Sequence, residues 1–461
     1  MTAAVQVPRN APRDVTPVST VLPDPAHAPA PPVVGADLRV PLVTGGEVPY
    51  ANLDYAASAP ALAAVRDAVE EFLPWYSSVH RGAGFASQVA TTAYEQARRE
   101  VAAFVHAPYG ASVIFTRHTT DAMNLLAHCL PAGTTVLVFD SEHHATLLPW
   151  SHARHHQRVV RLGYPASPRD AVDRLDTALR RLPVGPRLVA VTGASNVTGE
   201  RWPIAELAEV AHEHGARIAL DAAQLAPHHP IDITALDVDY VALSGHKLYA
   251  PYGVGALVGR ADWLRLAPPY LIGGGATRQV DDTRVSWADT PDRHEAGSPN
   301  VVGAVALAAA CRTLRTAGLD ALAAREQRLL TRLRSGLAAL GGGVRELALW
   351  ADGHPRVGIA AFTVRGLDDG LVATALAAEH GIGVRHGRFC AHPLVRRLTG
   401  GESGALRASL GLGTSEEHVD RLLTGLDALL SHGPRWNYRQ RDGQLVPDPD
   451  PRPLPGFLAG R

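Results

Sequence analysis

The chain has 461 residues and a formal net charge of −1, so it carries no basic field suited to nucleic acid or anionic lipid. Hydrophobic residues make up 46%, enough for a packed core, yet no apolar run approaches the ~18 residues of a membrane span. Three cysteines cannot frame a disulfide scaffold, which together with an N-terminus lacking a secretory apolar core sets the expectation of a cytoplasmic protein.

In chain order, residues 1–45 are rich in Pro and Ala without helical or strand period and read as a disordered tail. Helical spacing of apolar residues follows at 61–73, 92–106 and 120–129, then at 170–182 and 203–214. Short apolar runs alternate with these: 112–116, 135–140, 187–192, 216–221, 239–244 and 255–259. Near-continuous apolar strands separated by helices predict a mostly parallel sheet covered on both faces. Two long helical patterns follow at 300–317 and 319–340, and 356–431 reads as a smaller α/β unit. The boundaries are therefore a tail over 1–45, a large domain over 46–300, a small C-terminal domain over 301–432 and a Pro-rich extension over 433–461.

Of the 44 Lys and Arg residues, only Lys247 is a lysine. GC-rich coding explains why lysine is scarce but not why one remains. A guanidinium stays protonated, whereas an amine can lose its proton and attack a carbonyl, so Lys247 is a candidate nucleophile. Polar residues gather where the predicted strands end: RHTTD (117–121), SEHHAT (141–146), GASNVTG (193–199), DAAQ (221–224) and SGHKLY (244–249). Ligands of open α/β sheets bind beyond such ends. A pyridoxal phosphate site needs a Schiff-base lysine, a carboxylate for the ring nitrogen, hydroxyls and amides for the phosphate, and a flat side chain to stack on the ring. Lys247, Asp221, the Thr119–Thr120 pair and His143 can fill those roles. Adjacent histidines such as His143–His144, His155–His156 and His228–His229 match no metal-ligand spacing, so no metal is expected. Cys129 and Cys311 sit in apolar helical contexts and read as buried small hydrophobes.

SNVTG, LDAAQLAPHHPIDI, VDYVALSGHKLYAPYGVGAL and APPYLIGGG together resemble the class V aminotransferase superfamily of pyridoxal phosphate (PLP) fold type I. Within it, the chain is most similar to the SUF-type (group II) cysteine desulfurases and selenocysteine lyases. The resemblance runs from LDYAASAP (53–60) to about residue 431. It implies a large PLP-binding domain with a mostly parallel seven-stranded sheet between helices, a smaller α/β domain, and a homodimer with shared sites. It makes Lys247 the Schiff-base lysine and Asp221 the partner of the ring nitrogen. Asn196 and Gln224 would face the ring's phenolic oxygen, and His143 would stack on the ring. Thr119, Thr120, Ser244 and His246 would hold the phosphate, with Ser298 reaching the partner subunit's. Arg407 matches the residue that grips a substrate carboxylate by a bidentate fork. Arg385 lies beside the small-domain loop, and Cys390 stands where the family has its sulfur nucleophile.

The implied activity is sulfur abstraction from L-cysteine, giving L-alanine and a persulfide on Cys390 that passes to a sulfur-acceptor protein or a reductant. The alternative is another class V reaction on an amino acid: selenocysteine lyase, C–S lyase, epimerase or aminotransferase. Two departures sit on the substrate side: Gly84 stands where the family has a histidine, and GLGTSEE (411–417) replaces a Tyr-Asn-Thr turn.

Overall fold

The computed structural model describes residues 30–152, 157–351, 353–401 and 404–458. Seven strands form its central sheet: β1 (Ser112–Thr116), β2 (Thr135–Val138), β3 (Arg158–Arg161), β4 (Arg187–Thr192), β5 (Arg217–Asp221), β6 (Tyr240–Ser244) and β7 (Gly255–Gly259). Their order across the sheet is β1-β7-β6-β5-β4-β2-β3. Only β7 runs against its neighbours, β1 and β6. Those two reversals cancel, so β1 points the same way as the other five, and their carboxyl ends open on one side. The expected mostly parallel sheet is therefore present. Every residue of β2, β4, β6 and β7 is buried, as a sheet covered on both faces requires.

Helices α1 (Ala63–Phe72), α2 (Phe85–Phe104), α3 (Thr119–Cys129), α4 (Pro168–Arg180) and α5 (Ile204–Glu213) connect and cover these strands. Helix α6 (Val301–Ala317) packs on α1 and α2 in the large domain. It then turns by 80° into α7 (Leu319–Ala339) at Gly318, whose φ of +81° suits a residue without Cβ. The division expected at 300/301 thus falls before α6, while the packing changes side within α7: Leu319 and Leu322 join the large-domain core, and Leu329, Leu330 and Leu333 join the small-domain core.

The small domain is a four-stranded sheet with helices α8 (Asp369–His380) and α9 (Glu416–His432) and the shorter helix His392–Thr399. Its strands, β8 (Val344–Leu347), β9 (Ile359–Val364), β10 (Arg385–Gly387) and β11 (Ala405–Ser409), lie in the order β8-β9-β11-β10. The two-residue strand Ala51–Asn52 pairs with Ile382–Gly383, so the start of the large-domain segment crosses into this unit.

Both ends of the described chain form strands. Residues 30–45 do not belong to a disordered tail: Arg39–Pro41 pairs with Glu47–Pro49, and Val33 bridges to Leu62. Residues 1–29 lie outside the described residues. The C-terminal extension forms a hairpin, Tyr438–Arg441 with Gln444–Pro447, which packs on α8. Buried Glu379 fastens it, accepting from the Arg435 and Trp436 amides and from the Tyr438 hydroxyl at 2.7 Å. Among the described residues, no single helix is long and apolar enough to cross a membrane.

Candidate active site

The carboxyl ends of the parallel strands and the small-domain loop after β10 enclose a cavity of about 400 Å³. It brings together Thr119, Thr120, His143, Asn196, Asp221, Gln224, Ser244, His246, Lys247, Arg385, Cys390 and Arg407. These are all the expected site residues except Ser298, which lines a separate cavity of about 690 Å³ with Tyr76–Arg81, Gly275, Thr277 and Arg278.

Lys247 follows the end of β6, and Asp221 ends β5 beside it. Burial pushes the Lys247 amine down to about 8, with Asp221 acting against that and Arg407 adding to it. Asp221 is held at both oxygens: Oδ2 accepts from the Thr146 hydroxyl at 2.7 Å and Oδ1 from the Ala223 amide at 3.0 Å. That fixes the carboxylate at the strand end with two donors, whereas an ordinary strand-end carboxylate would be solvated.

His143 caps the short helix His144–Leu147, its Nδ1 accepting from the Ala145 amide at 3.0 Å. Burial, followed by the charges of Lys247, His144 and Arg407, lowers it to about 3, so it is a neutral flat ring at physiological pH. Ser244 and Thr119 are tied across the β6 and α3 ends: the Thr119 amide donates to Ser244 Oγ at 2.8 Å, and that hydroxyl donates to Thr119 Oγ1 at 2.9 Å.

Arg407, on β11, is only 3% exposed. Nη1 donates to the Asn196 carbonyl at 2.7 Å and Nη2 to Asp54 Oδ1 at 3.2 Å, while Nε has no partner. A buried cation with an unmet donor is costly unless an anion completes it, which suits a carboxylate receptor. Gln224 gives Nε2 to the Ala56 carbonyl and leaves Oε1 unmet. Asn196 commits Nδ2 to the Phe389 carbonyl at 2.7 Å, so it anchors the cysteine loop. Phe389 and Cys390 both have positive φ, +51° and +54°, which turns the loop sharply beneath the cavity. Cys390 itself is exposed, while Cys129 and Cys311 are buried.

The arrangement fits pyridoxal phosphate. It offers one amine, a doubly oriented carboxylate, hydroxyls at a helix start, a neutral flat ring, and unmet buried polar atoms on Gln224 and Arg407. Sequence reasoning missed Thr146, although it lies in the quoted EHHAT run. It also missed His118 and Phe389, whose neighbours in sequence were singled out. Among the described residues, no group of three or more His, Cys, Asp and Glu is placed to hold a metal ion. His155 and His156 lie outside the described residues.

The two departures have different settings. Gly84 is the exposed N-cap of α2 and stands in open space. The glycines of GLGT make room for Tyr55: a Cβ at Gly411 would lie 2.1 Å from its Cδ1, and one at Gly413 2.5 Å from its hydroxyl. Tyr55 is buried against Tyr249, with ring centroids 6.2 Å apart. The volume that a Tyr-Asn-Thr turn would claim is thus filled from the other end of the chain.

The family profile described as Aminotransferase class-V matches residues 51–422. A cysteine desulfurase of Dickeya dadantii is 38% identical over 389 residues, covering 82% of this chain and 91% of that protein. The solved structure of the cysteine desulfurase CsdA of Escherichia coli superposes with a TM-score of 0.73 at 32% identity, covering 83% of this chain and 95% of that one. A cysteine desulfurase of Thermococcus onnurineus gives a TM-score of 0.73 at 31% identity, with the same coverage.

Proposed function

The chain belongs to the class V aminotransferase family, and on that premise we propose that it is a PLP-dependent cysteine desulfurase, converting L-cysteine to L-alanine with the sulfur left as a persulfide on Cys390. One observation carries this reading: the only lysine, the oriented carboxylate of Asp221, the buried Arg407 and the exposed thiol of Cys390 line a single cavity.

Bound pyridoxal phosphate supplies a carbonyl carbon for an amine and a ring that spreads developing negative charge. Lys247 would hold it covalently, Asp221 would pair with its ring nitrogen, and His143 would lie against its face. Asn196 and Gln224 would face its phenolic oxygen, and Thr119, Thr120, Ser244 and His246 would take the phosphate. Ser298 would serve the partner subunit's site in a homodimer. Arg407 and Arg385 position the carboxylate of L-cysteine, which aims the substrate's α-proton at Lys247 Nζ. With its amine depressed toward neutrality, Lys247 accepts that proton and returns one later.

Cys390, as a thiolate, attacks the substrate sulfur. A sulfur–sulfur bond forms and the substrate's carbon–sulfur bond breaks. The electron pair stays on the carbon, which takes a proton and becomes the alanine methyl group. The persulfide then passes its outer sulfur to an acceptor protein or yields sulfide to a thiol reductant. A reducing compartment keeps the exposed Cys390 as a free thiol ready to attack, in keeping with a cytoplasmic site of action.

The test is to measure alanine and sulfide from L-cysteine with and without a reductant, for the wild type and Cys390→Ser. Loss of both products in the variant supports persulfide chemistry. Alanine and sulfide formed at the wild-type rate by Cys390→Ser would show that the sulfur leaves without a Cys390 persulfide, whereas pyruvate or D-cysteine in place of alanine would point to a C–S lyase or an epimerase reaction.

A further inference from the structure

His118 precedes the two threonines at the start of α3 and lines the cavity with Thr119, Thr120, Ser244, His246 and Lys247. Its backbone is extended, with φ −175° and ψ 175°, and it is the N-cap of α3. Its Nδ1 accepts the Asp121 amide at 3.2 Å. That bond fixes the tautomer: in the neutral ring the proton sits on Nε2. Among the described residues Nε2 has no partner. His118 is also near enough to His246 for its charge to help lower that imidazole. The start of α3, the hydroxyls of Thr119 and Thr120 and two imidazoles thus converge on one end of the cavity. Among the residues lining the cavity the only carboxylate is Asp221, already held by Thr146 and Ala223.

We infer that His118 is a further ligand of the cofactor's phosphate group, donating from Nε2 while its Nδ1 caps α3. This rests on the cofactor reading above. The single ring does two tasks, and they can be separated. Asparagine is a strong N-cap and keeps an acceptor for the Asp121 amide, but it does not reach as far as Nε2. His118→Asn therefore preserves the helix start and removes the outer donor.

The full chain, freed of cofactor, is titrated with pyridoxal phosphate and separately with pyridoxal, which lacks the phosphate. Bound cofactor is followed by its visible absorbance, and the phosphorus resonance is recorded for the phosphate form. The thermal midpoint of the variant checks its fold. His118→Asn is expected to weaken pyridoxal phosphate binding by about tenfold, the scale of one charge-assisted hydrogen bond, with pyridoxal binding unchanged and the phosphorus resonance shifted. Unchanged affinity for pyridoxal phosphate would overturn the assignment, and so would an equal loss for both ligands. If the wild type binds neither ligand, the cofactor reading itself fails and the assignment goes with it.

Discussion

The backbone amide of His144 donates to the carbonyl oxygen of Cys390 at 2.8 Å. The thiol of the small domain is thereby fastened to the helix start that follows His143 in the large domain. The Asn196–Phe389 bond adds a second tie one residue earlier in the same loop. The rings of His144 and His392 also meet, at a centroid distance of 4.7 Å.

This tie predicts a contrast between two substitutions. His144 is the first residue of its helix, where proline is tolerated but brings no N–H. His144→Pro removes the donor to Cys390, whereas His144→Ala keeps it and removes only the ring. Alanine formation from L-cysteine should fall about threefold to tenfold in His144→Pro, the scale of one hydrogen bond, and change little in His144→Ala. Cofactor absorbance should persist in both. Equal losses in the two variants would assign the effect to the ring.

The Lys247 amine, lowered to about 8 by burial, sets a pH dependence. Only the neutral amine attacks a carbonyl. In the cofactor-free chain the rate of pyridoxal phosphate capture should climb as pH rises toward about 8 and level off above it, rather than continue toward the ordinary 10.5. Asp221 opposes the depression, so Asp221→Asn should move the rise to lower pH. Stopped-flow absorbance reads both effects.

With one lysine in the chain, borohydride reduction of the loaded protein should fix cofactor at a single internal residue. Peptide mapping should find the modification at Lys247 and nowhere else apart from the N-terminal amine. Lys247→Arg should leave no internal modification.

The Tyr55 packing predicts coupling between distant positions. Gly411→Ala should destabilise the fold by about 1–3 kcal/mol, since the added methyl meets the buried Tyr55 ring. Tyr55→Ala vacates that space, so the double variant should lose less than the sum of the two single losses. Thermal denaturation of the four proteins closes the cycle.

The central strands were legible because their burial is continuous: RLVAVT over β4 has no polar face to hide it. Strand β3 was not, because RVVR is short, half-polar and at the sheet edge. The first turns of α2 were missed because Ser87, Gln88 and Thr91 blur its apolar period. Motif order singled out Asp221 and Ser244, which end strands, and Lys247 and Cys390, which lie in the loops that follow strands. Spacing could not disclose contacts made across the chain. Thr146 meets Asp221 over 75 positions, and Asn196 meets Phe389 over 193. His118 escaped notice because a helix cap and a ligand look alike in sequence.

In the proposed reaction Cys390 takes the sulfur of L-cysteine. One equivalent of L-cysteine mixed with the loaded protein in the absence of reductant, followed by digestion and mass spectrometry, tests it most directly. One alanine per site is expected, with the mass of one added sulfur atom on the peptide containing Cys390, and neither in Cys390→Ser. Added sulfur on Cys129 or Cys311, or alanine formed at the wild-type rate by Cys390→Ser, would contradict it.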